Sequence, residues 1–411
     1  MQVIENIQSS PFRESKSHRI LTSLELFAGA GGLALGTHAA GFKHIGLVEW
    51  NTFAIETLRD NSQKVLGLHP DFIFHCDARN VDYQMFAGKV DLLTGGPPCQ
   101  PFSHGGQSRG FSDERDMFPV LLDAVAEIMP NAILIENVKG LLREKFRDYF
   151  SYILKRLQFP LSRKEDGESW QNHYKRLCVR NERDFADEEQ YVVAYQLVNA
   201  ANYGIPQMRE RVIITAFRRD LGIDTFHIQA THSKETLFIN QWITGAYWDV
   251  YNISPCAYYL NSVDKEMVEK LRNQLFFADH TLPWLTTRDV IHDLPTPVAR
   301  GFQEEISNHI QHPGARVYPG HTGSLLDYPA KALKAGAHGT PGGENVLCVP
   351  SEGIVRYFTA REAARLQTFP DIWHFHGSWG ACMKQLGNAV PAELIRIFAL
   401  EIGQRLAKVV A

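Results

Sequence analysis

Three groups of residues in this sequence could do chemistry: a cysteine set among prolines, a carboxylate ending an apolar run, and a row of alternating polar and cationic side chains. Cys99 stands at the centre of GGPPCQPFS, residues 95–103. Pro97, Pro98 and Pro101 restrict the backbone around it, while Gly95 and Gly96 allow close approach, so a single thiol is presented in a fixed direction. That arrangement suits a nucleophile; the alternative is a small buried cysteine in a tight turn, the reading a lone Pro-Cys such as Pro255-Cys256 would favour. Glu136 follows the apolar residues 132–135 and opens Glu136-Asn137-Val138, where a carboxylate could serve as the acid partner of the thiol. Gln207, Arg209 and Arg211 alternate, so an extended backbone would turn all three to one face, either solvated or directed at an anion.

These groups need elements to carry them. Residues 90–93 read as a buried strand, which places Cys99 in a loop at a strand's carboxyl end, where open α/β sheets bind their ligands. Residues 20–27 predict a strand, Ala28-Gly29-Ala30-Gly31-Gly32 a turn, and 33–40 a helix closed by Gly41. Such glycines let a cofactor approach backbone N–H groups at a helix start, although the spacing is not the dinucleotide fingerprint G-x-G-x-x-G. Strand 44–49 ends in Glu49-Trp50-Asn51: a carboxylate suited to ribose hydroxyls, a ring able to stack on adenine, and a helix cap. Strand 72–76 runs to Asp77, residues 103–115 predict a loop whose Gln107, Arg109 and Arg115 suit phosphate or base edges, and 117–129 a helix between Pro119 and Pro130. Residues 160–190 are strongly charged without clear period and predict a solvated surface insertion. Strands at 191–198 and 212–217 follow. Thr359 and Glu362 form a capping box for a helix through Gln367, and Leu394, Ile395, Phe398, Ile402 and Leu406 line one face of a closing helix.

With 411 residues, 44% hydrophobic and 21% charged, the chain predicts a globular protein of two or three domains. Neither a long apolar run nor a charged-apolar-small leader occurs, so no membrane partner is expected, and residues 1–17 predict a polar tail. The net charge of -4 lacks the basic excess of most nucleic-acid binders, unless cations line one cleft. Six cysteines without a C-x-x-C argue against a zinc ribbon or a disulfide framework. Residues 218–355 break the α/β pattern with short irregular elements, and 11 Lys and Arg against 15 Asp and Glu do not make them a basic module. His309 and His312 lack a second ligand pair at zinc spacing, so no metal is expected.

Taken in order, these blocks resemble the DNA (cytosine-5)-methyltransferases of bacterial restriction-modification systems. The resemblance implies an α/β fold: a Rossmann-like S-adenosylmethionine-dependent methyltransferase sheet with helices on both faces, plus a smaller, irregular target-recognition domain. It implies a catalytic and cofactor-binding domain over 18–217, a recognition domain over 218–355 and a return segment, 356–411, completing the catalytic domain. FAGAGGL, with Phe27, Gly29, Gly31, Gly32 and Leu33, would cradle the methionine part of S-adenosylmethionine. Glu49 and Trp50 would take ribose and adenine, Asp77 with Ala78 the adenine amino group, and Pro97, Asn388 and Val390 further parts of the cofactor. Cys99 would add to carbon-6 of a flipped-out cytosine, Glu136 would engage the ring at nitrogen-3, and Arg209 and Arg211 would face the cytosine and its phosphate, with a cation such as Arg211 also favouring the thiolate. Gln100, Ser103, Arg115 and Gln207 would contact DNA. The implied partners are double-stranded DNA and a restriction endonuclease acting on the same site without stable complex. The chain would be a cytoplasmic, nucleoid-associated monomer. A transfer-RNA cytosine-5 methyltransferase and a catalytically silent DNA-binding regulator are the alternatives.

Overall fold

The computed structural model describes residues 19–98, 116–255, 260–273, 280–299, 306–319, 322–335 and 345–410. Cys99, Gln100, Ser103 and Arg115, with the rest of the 103–115 segment, the N-terminal tail and most of the glycine-rich piece 335–345, lie outside them. The described residues fall into two compact units. The first holds residues 19–198, 210–228 and 395–410, the second residues 199–209 and 229–394, so the chain passes between them at 198/199, 209/210, 228/229 and 394/395. This division differs from the sequence reading: residues 356–394 cluster with 229–355 rather than with the catalytic sheet, and 218–228 cluster with the sheet.

The first unit is built on a seven-stranded sheet in the order β3-β2-β1-β4-β5-β8-β6. Its strands are β1 (Thr22–Leu26), β2 (Lys43–Glu49), β3 (Ile73–His75), β4 (Leu92–Gly95), β5 (Ala132–Val138), β6 (Tyr191–Asn199) and β8 (Glu210–Arg218); β7 (Gln207–Met208) pairs elsewhere, with Ala330–Lys331 in the second unit. Pairings from β3 through β5 are parallel, and β8 runs antiparallel to β5. Helix α1 (Gly32–Ala39) follows β1, α2 (Thr52–Asn61) follows β2, α3 (Phe118–Ile128) precedes β5, and α4 (Arg147–Gln158) and α5 (Trp170–Cys178) lie between β5 and β6. Alternation along β1 covers both sheet faces. Leu24 and Leu26 enter a core with Leu121 and Val125 of α3, whereas Ser23 on the opposite face bonds His44, whose Nε2 donates to the Ala34 carbonyl of α1 at 2.9 Å. The edge strand β6 is guarded by Gln196, whose side-chain amide pairs with both backbone groups of Ile228 at 2.8 and 3.0 Å.

The insertion is not the featureless surface segment that its charge predicts. Ser169 caps α5 through the Asn172 N–H, and His173 and Leu177 are fully buried. In the second unit, α6 (Lys234–Phe238), α7 (Ala246–Tyr251), α8 (Ser262–Arg272) and α9 (Thr287–Ile291) surround a core of Phe238, Tyr247, Trp248 and Trp284. The helices α10 (Ala360–Leu366) and α11 (Trp379–Asn388) complete it, and α12 (Ala392–Leu406) carries the chain back to the first unit. Thr359 and Glu362 form the expected capping box, and the closing helix buries Leu394, Ile395, Phe398, Ile402 and Leu406.

One buried acid carries a testable cost. Glu25 of β1 is 0% exposed, and among the described residues neither its carboxylate oxygens nor the Thr94 hydroxyl opposite it on β4 have a hydrogen-bond partner. Burial first, then the nearby Glu49, hold the Glu25 carboxyl well above the usual carboxylate range. A raised folded-state value means that its contribution is fully present below the unfolded value, near 4.3, and lost as pH rises through the folded one. Glu25→Gln is therefore expected to stabilise the protein at pH 8 by roughly 1 kcal/mol or more, with the gain vanishing near pH 4. Melting both proteins across this pH range checks it, and a gain independent of pH would contradict it.

Candidate active site

Parallel pairing brings three loops to one sheet edge. Leu26 of β1 is opposite Gly95 of β4, and Gly95 is opposite Ile135 of β5, so Phe27, Gly96 and Glu136 begin at one level. The order of strands reverses between β1 and β4, and such a switch point opens a crevice beyond the strand ends. Space is tight at Gly95: a Cβ would stand 2.7 Å from the end of the Leu121 side chain, at Cδ1, and 3.3 Å from the Leu26 carbonyl oxygen.

Behind β1 the backbone turns through Phe27 at φ 60°, Gly29 at 55° and Gly31 at 91°. The left-handed conformation is ordinary for glycine and costly for Phe27, a strain of the kind that collects at binding sites. Gly31 precedes α1 as its cap, leaving the first N–H groups of Gly32 and Leu33 without a side-chain cap. Glu49 ties this turn to β2: Oε2 accepts from the Gly29 N–H at 2.8 Å, and Oε1 from Trp50 and Asn51 at 2.9 and 2.7 Å. A carboxylate offers about four acceptor sites, so about one remains for a ribose hydroxyl. Trp50 is 71% exposed with its carbonyl held by His75 Nε2 at 3.1 Å, which leaves a broad ring for a purine to cover. Asp77 is engaged by Arg79 through both oxygens, and the guanidinium's hydrogen bonds hold its carboxyl below the usual range. Ala78 is buried beside it. The open turn, the spare acceptor and the uncovered indole fit a nucleoside carrying an amino-acid tail.

Beyond β4, the Pro97 carbonyl accepts from Asn137 Nδ2 at 3.1 Å. Asn137 is 1% exposed and holds the chain two residues before Cys99; the sequence reading missed this role, because a contact across two strands leaves no local pattern. Its neighbour Glu136 meets Arg211, with Nε 2.5 Å from Oε1 and both side chains largely buried. The Arg211 guanidinium also donates to the Glu210 carbonyl at 2.7 Å, so its described partners are Glu136 and this carbonyl. Glu136 Oε2 lies 3.4 Å from where a Cβ on Gly96 would stand, so this carboxylate faces the start of the Cys99 loop.

Gln207 and Arg209 do not share that face. The extended run breaks after Met208, and the two side chains turn into the second unit, at 0% and 1% exposure. Gln207 Nε2 donates to the Leu366 carbonyl at 3.2 Å, and its Oε1 accepts from the Leu333 N–H at 3.1 Å. The Arg209 guanidinium donates to the carbonyls of Leu333, Gly387 and Ala389 at 3.0, 2.8 and 2.7 Å. Both residues thus hold backbone here, whereas the sequence reading gave Gln207 to DNA and Arg209 to the cytosine and its phosphate. In the same unit Asn388 is exposed at the end of α11 and Val390 is buried. His309 is held by Thr359 Oγ1 at 2.9 Å and the Pro295 carbonyl at 2.7 Å.

The model of the C-5 cytosine-specific DNA methylase family matches residues 21–159 and 168–404. The chain belongs to this family. It is a DNA (cytosine-5)-methyltransferase, and S-adenosylmethionine is its cofactor. The break in the match, 160–167, falls inside the charged insertion. Among similar proteins, type II methyltransferase M.PspPI of Psychrobacter sp. is 32% identical over 397 residues, covering 95% of this chain and 80% of that one. Type II methyltransferase M.Eco47II of Escherichia coli is 30% identical over 387 residues, covering 92% and 78%. The solved structure of Spodoptera frugiperda DNMT2 shares the fold with a TM-score of 0.54 at 16% identity, covering 93% of this chain and 99% of that one.

Proposed function

We propose that this methyltransferase modifies carbon-5 of a flipped-out cytosine within one specific duplex sequence, through a covalent Cys99 adduct, and protects host DNA in a restriction-modification system. The observation that carries the reading is the common register of Leu26, Gly95 and Ile135, which starts the glycine turn, the Cys99 loop and Glu136 from adjacent strand ends. Cytosine carbon-5 is a weak nucleophile until the ring is activated. The Cys99 thiolate adds to carbon-6 while Glu136 engages nitrogen-3, and the ring electrons move to carbon-5 as an enamine. S-adenosylmethionine supplies an electrophilic methyl group on a sulfonium. Carbon-5 would take that methyl, leaving the S–C bonding pair on sulfur as a neutral thioether; a base takes the carbon-5 proton, with water as the simplest candidate, and the returning electron pair expels the thiolate. Arg211 keeps Glu136 oriented during these steps. Gln100, Ser103 and Arg115 contact the DNA beside the pocket, and Asn388 and Val390 contribute to the cofactor site. Flanking bases are read by the span 218–355, because a flipped base carries no information about its neighbours.

The type II names of the similar proteins support the restriction-modification role. On this reading a restriction endonuclease acts on the same site without a stable complex. The enzyme acts as a monomer on the bacterial nucleoid, in the cytoplasm. Among the described residues no helix is long and apolar enough to cross a membrane. The test is tritiated methyl transfer from S-adenosylmethionine to duplex DNA and to transfer RNA, followed by sequencing of modified positions. Labelling of one recurring DNA site is expected. Labelling of transfer RNA alone, or of neither, would overturn the reading.

A further inference from the structure

The described arginines of the second unit are engaged by its own acceptors, with one exception. Arg209 holds three carbonyls, Arg272 meets Glu269, Arg288 meets Asp327, Arg356 meets Glu362, and Arg361 and Arg365 both reach Asp371. Arg316 is exposed and, among the described residues, has neither an ion-pair nor a hydrogen-bond partner. Its span holds 15 acids against 11 bases, so an arginine outside every described pair is the place where an external acceptor fits. The loop that carries it has a built base. His312 lies flat on Trp379, the first residue of α11, with centroids 4.2 Å apart and planes 4° from parallel. Tyr357, 3% exposed, packs against these two rings at 5.6 and 4.8 Å, and the Trp379 indole N–H donates to the Phe358 carbonyl at 2.9 Å. Between stack and arginine the backbone turns at Gly314, φ 93°. Burial first, then Tyr318, raise the Tyr357 phenol while the Arg316 charge opposes them, so both side chains stand beside the stack. Val317 and Tyr318, which follow Arg316, are 41% and 37% exposed.

We propose that Arg316 reads a guanine of the target sequence, donating to its N7 and O6 in the major groove, and that the stack of His312 on Trp379 is the rest that holds the reading loop. The inference rests on the reading that flanking bases are recognised by the span 218–355. A phosphate asks only for charge, which the exposed Lys265 and Lys270 of the same unit already offer. A guanine edge asks for two donors in one plane at a fixed angle, which is the guanidinium fork. Such a fork discriminates only if its carrier is stiff, and a loop seated on two parallel rings meets that condition. Val317 and Tyr318 add apolar surface beside the fork that a groove wall would cover. His312 and Trp379 are positioning residues in this scheme, since they act through Arg316.

The experiment methylates a duplex library randomised around a cytosine with the parent enzyme, Arg316→Ala, Arg316→Lys, His312→Ala and the double variant Arg316→Ala/His312→Ala, and sequences the modified positions. The parent alone tests the wider reading: a recurring site with fixed neighbours supports it, and methylation without one overturns it before any variant is compared. Arg316→Ala is expected to lose about 10–100-fold of the preference for guanine at one position, with the other positions unchanged. Arg316→Lys keeps the charge but not the fork and should relax the same position. His312→Ala should relax it in part, and the double variant no further than Arg316→Ala, because the ring acts through the guanidinium. The melting temperature of Arg316→Ala should match the parent's, since no described group loses a partner. An unaltered pattern in Arg316→Ala would overturn the proposal, as would full rescue by Arg316→Lys. Loss at every site alike with a flatter salt dependence would also overturn it and make Arg316 a phosphate contact.

Discussion

Duplex DNA carrying 5-fluorocytosine at the target is expected to become covalently attached to the enzyme in the presence of S-adenosylmethionine, and Cys99→Ser to abolish that capture. Fluorine at carbon-5 cannot leave as a cation, so the step that frees the thiolate is blocked after methyl transfer. The alkoxide equivalent of serine is inaccessible near neutral pH, and turnover should fall by about 10⁴-fold or more. Glu136→Gln belongs to the same experiment. The amide preserves the shape beside Arg211 and Gly96 but cannot deliver a proton to nitrogen-3, so kcat should fall by about 10²–10⁴ with the affinities for DNA and cofactor little changed. At about 1.36 kcal/mol per decade this is roughly 2.7–5.4 kcal/mol of transition-state stabilisation. Near-parental turnover by Cys99→Ser would remove the covalent mechanism, and a Glu136→Gln defect confined to KM would reduce that residue to a binding role.

The second large effect is expected from one methyl group. At Gly387 on α11 a Cβ would stand 2.3 Å from the Ala335 nitrogen, 2.4 Å from the Lys334 carbonyl carbon and 2.7 Å from the Ala335 Cα. These are backbone atoms and cannot swing aside as a side chain can. The strand of chain at 333–335 would have to withdraw, and with it the Leu333 carbonyl that Arg209 shares with Gly387 and Ala389. Separating a buried guanidinium from its acceptors adds to the steric cost, so Gly387→Ala should destabilise the second unit by about 3–5 kcal/mol. Gly380, seven residues earlier on the same helix, is the control. A Cβ there meets only Ser378 Oγ at 4.0 Å, and the gain in helix propensity should make Gly380→Ala stabilising by up to roughly 1 kcal/mol. Calorimetry and limited proteolysis of the two variants read the contrast, and equal stability would mean that the helix and the 333–335 segment are not in contact in solution.

What was legible in the sequence is what is local. The glycine turn, Glu49 and Trp50 at a strand end, the capping box at Thr359 and the apolar face of the closing helix all follow from residues within a turn or a strand of one another. The resemblance added their order and chemistry. Contacts between segments distant in the chain were not legible. Asn137 on Pro97 spans 40 residues, and Arg209 on Ala389 spans 180. An arginine in an alternating row reads as exposed because burial of a cation is costly, and nothing local announces that three carbonyls will meet it. The helix in the insertion is a different kind of miss, since Trp170, His173 and Leu177 stand at helical spacing on a buried face. Its charge masked a period that was present.

The repeated passage of the chain between units also sets a timetable. The sheet that holds Glu136 shares its unit with residues 395–410, so Phe42 awaits Gly403 against its ring, and Phe226 awaits Phe398 at 6.3 Å between centroids. At roughly 5–20 residues per second, a ribosome needs on the order of 20–70 s to travel from Phe42 to Phe398. Once residue 99 has been made, the nascent chain holds Cys99 and every cofactor-facing residue of the first unit for the rest of that interval, yet shows bare aromatic surface to chaperones. Synthesis therefore delivers the enzyme late and all at once.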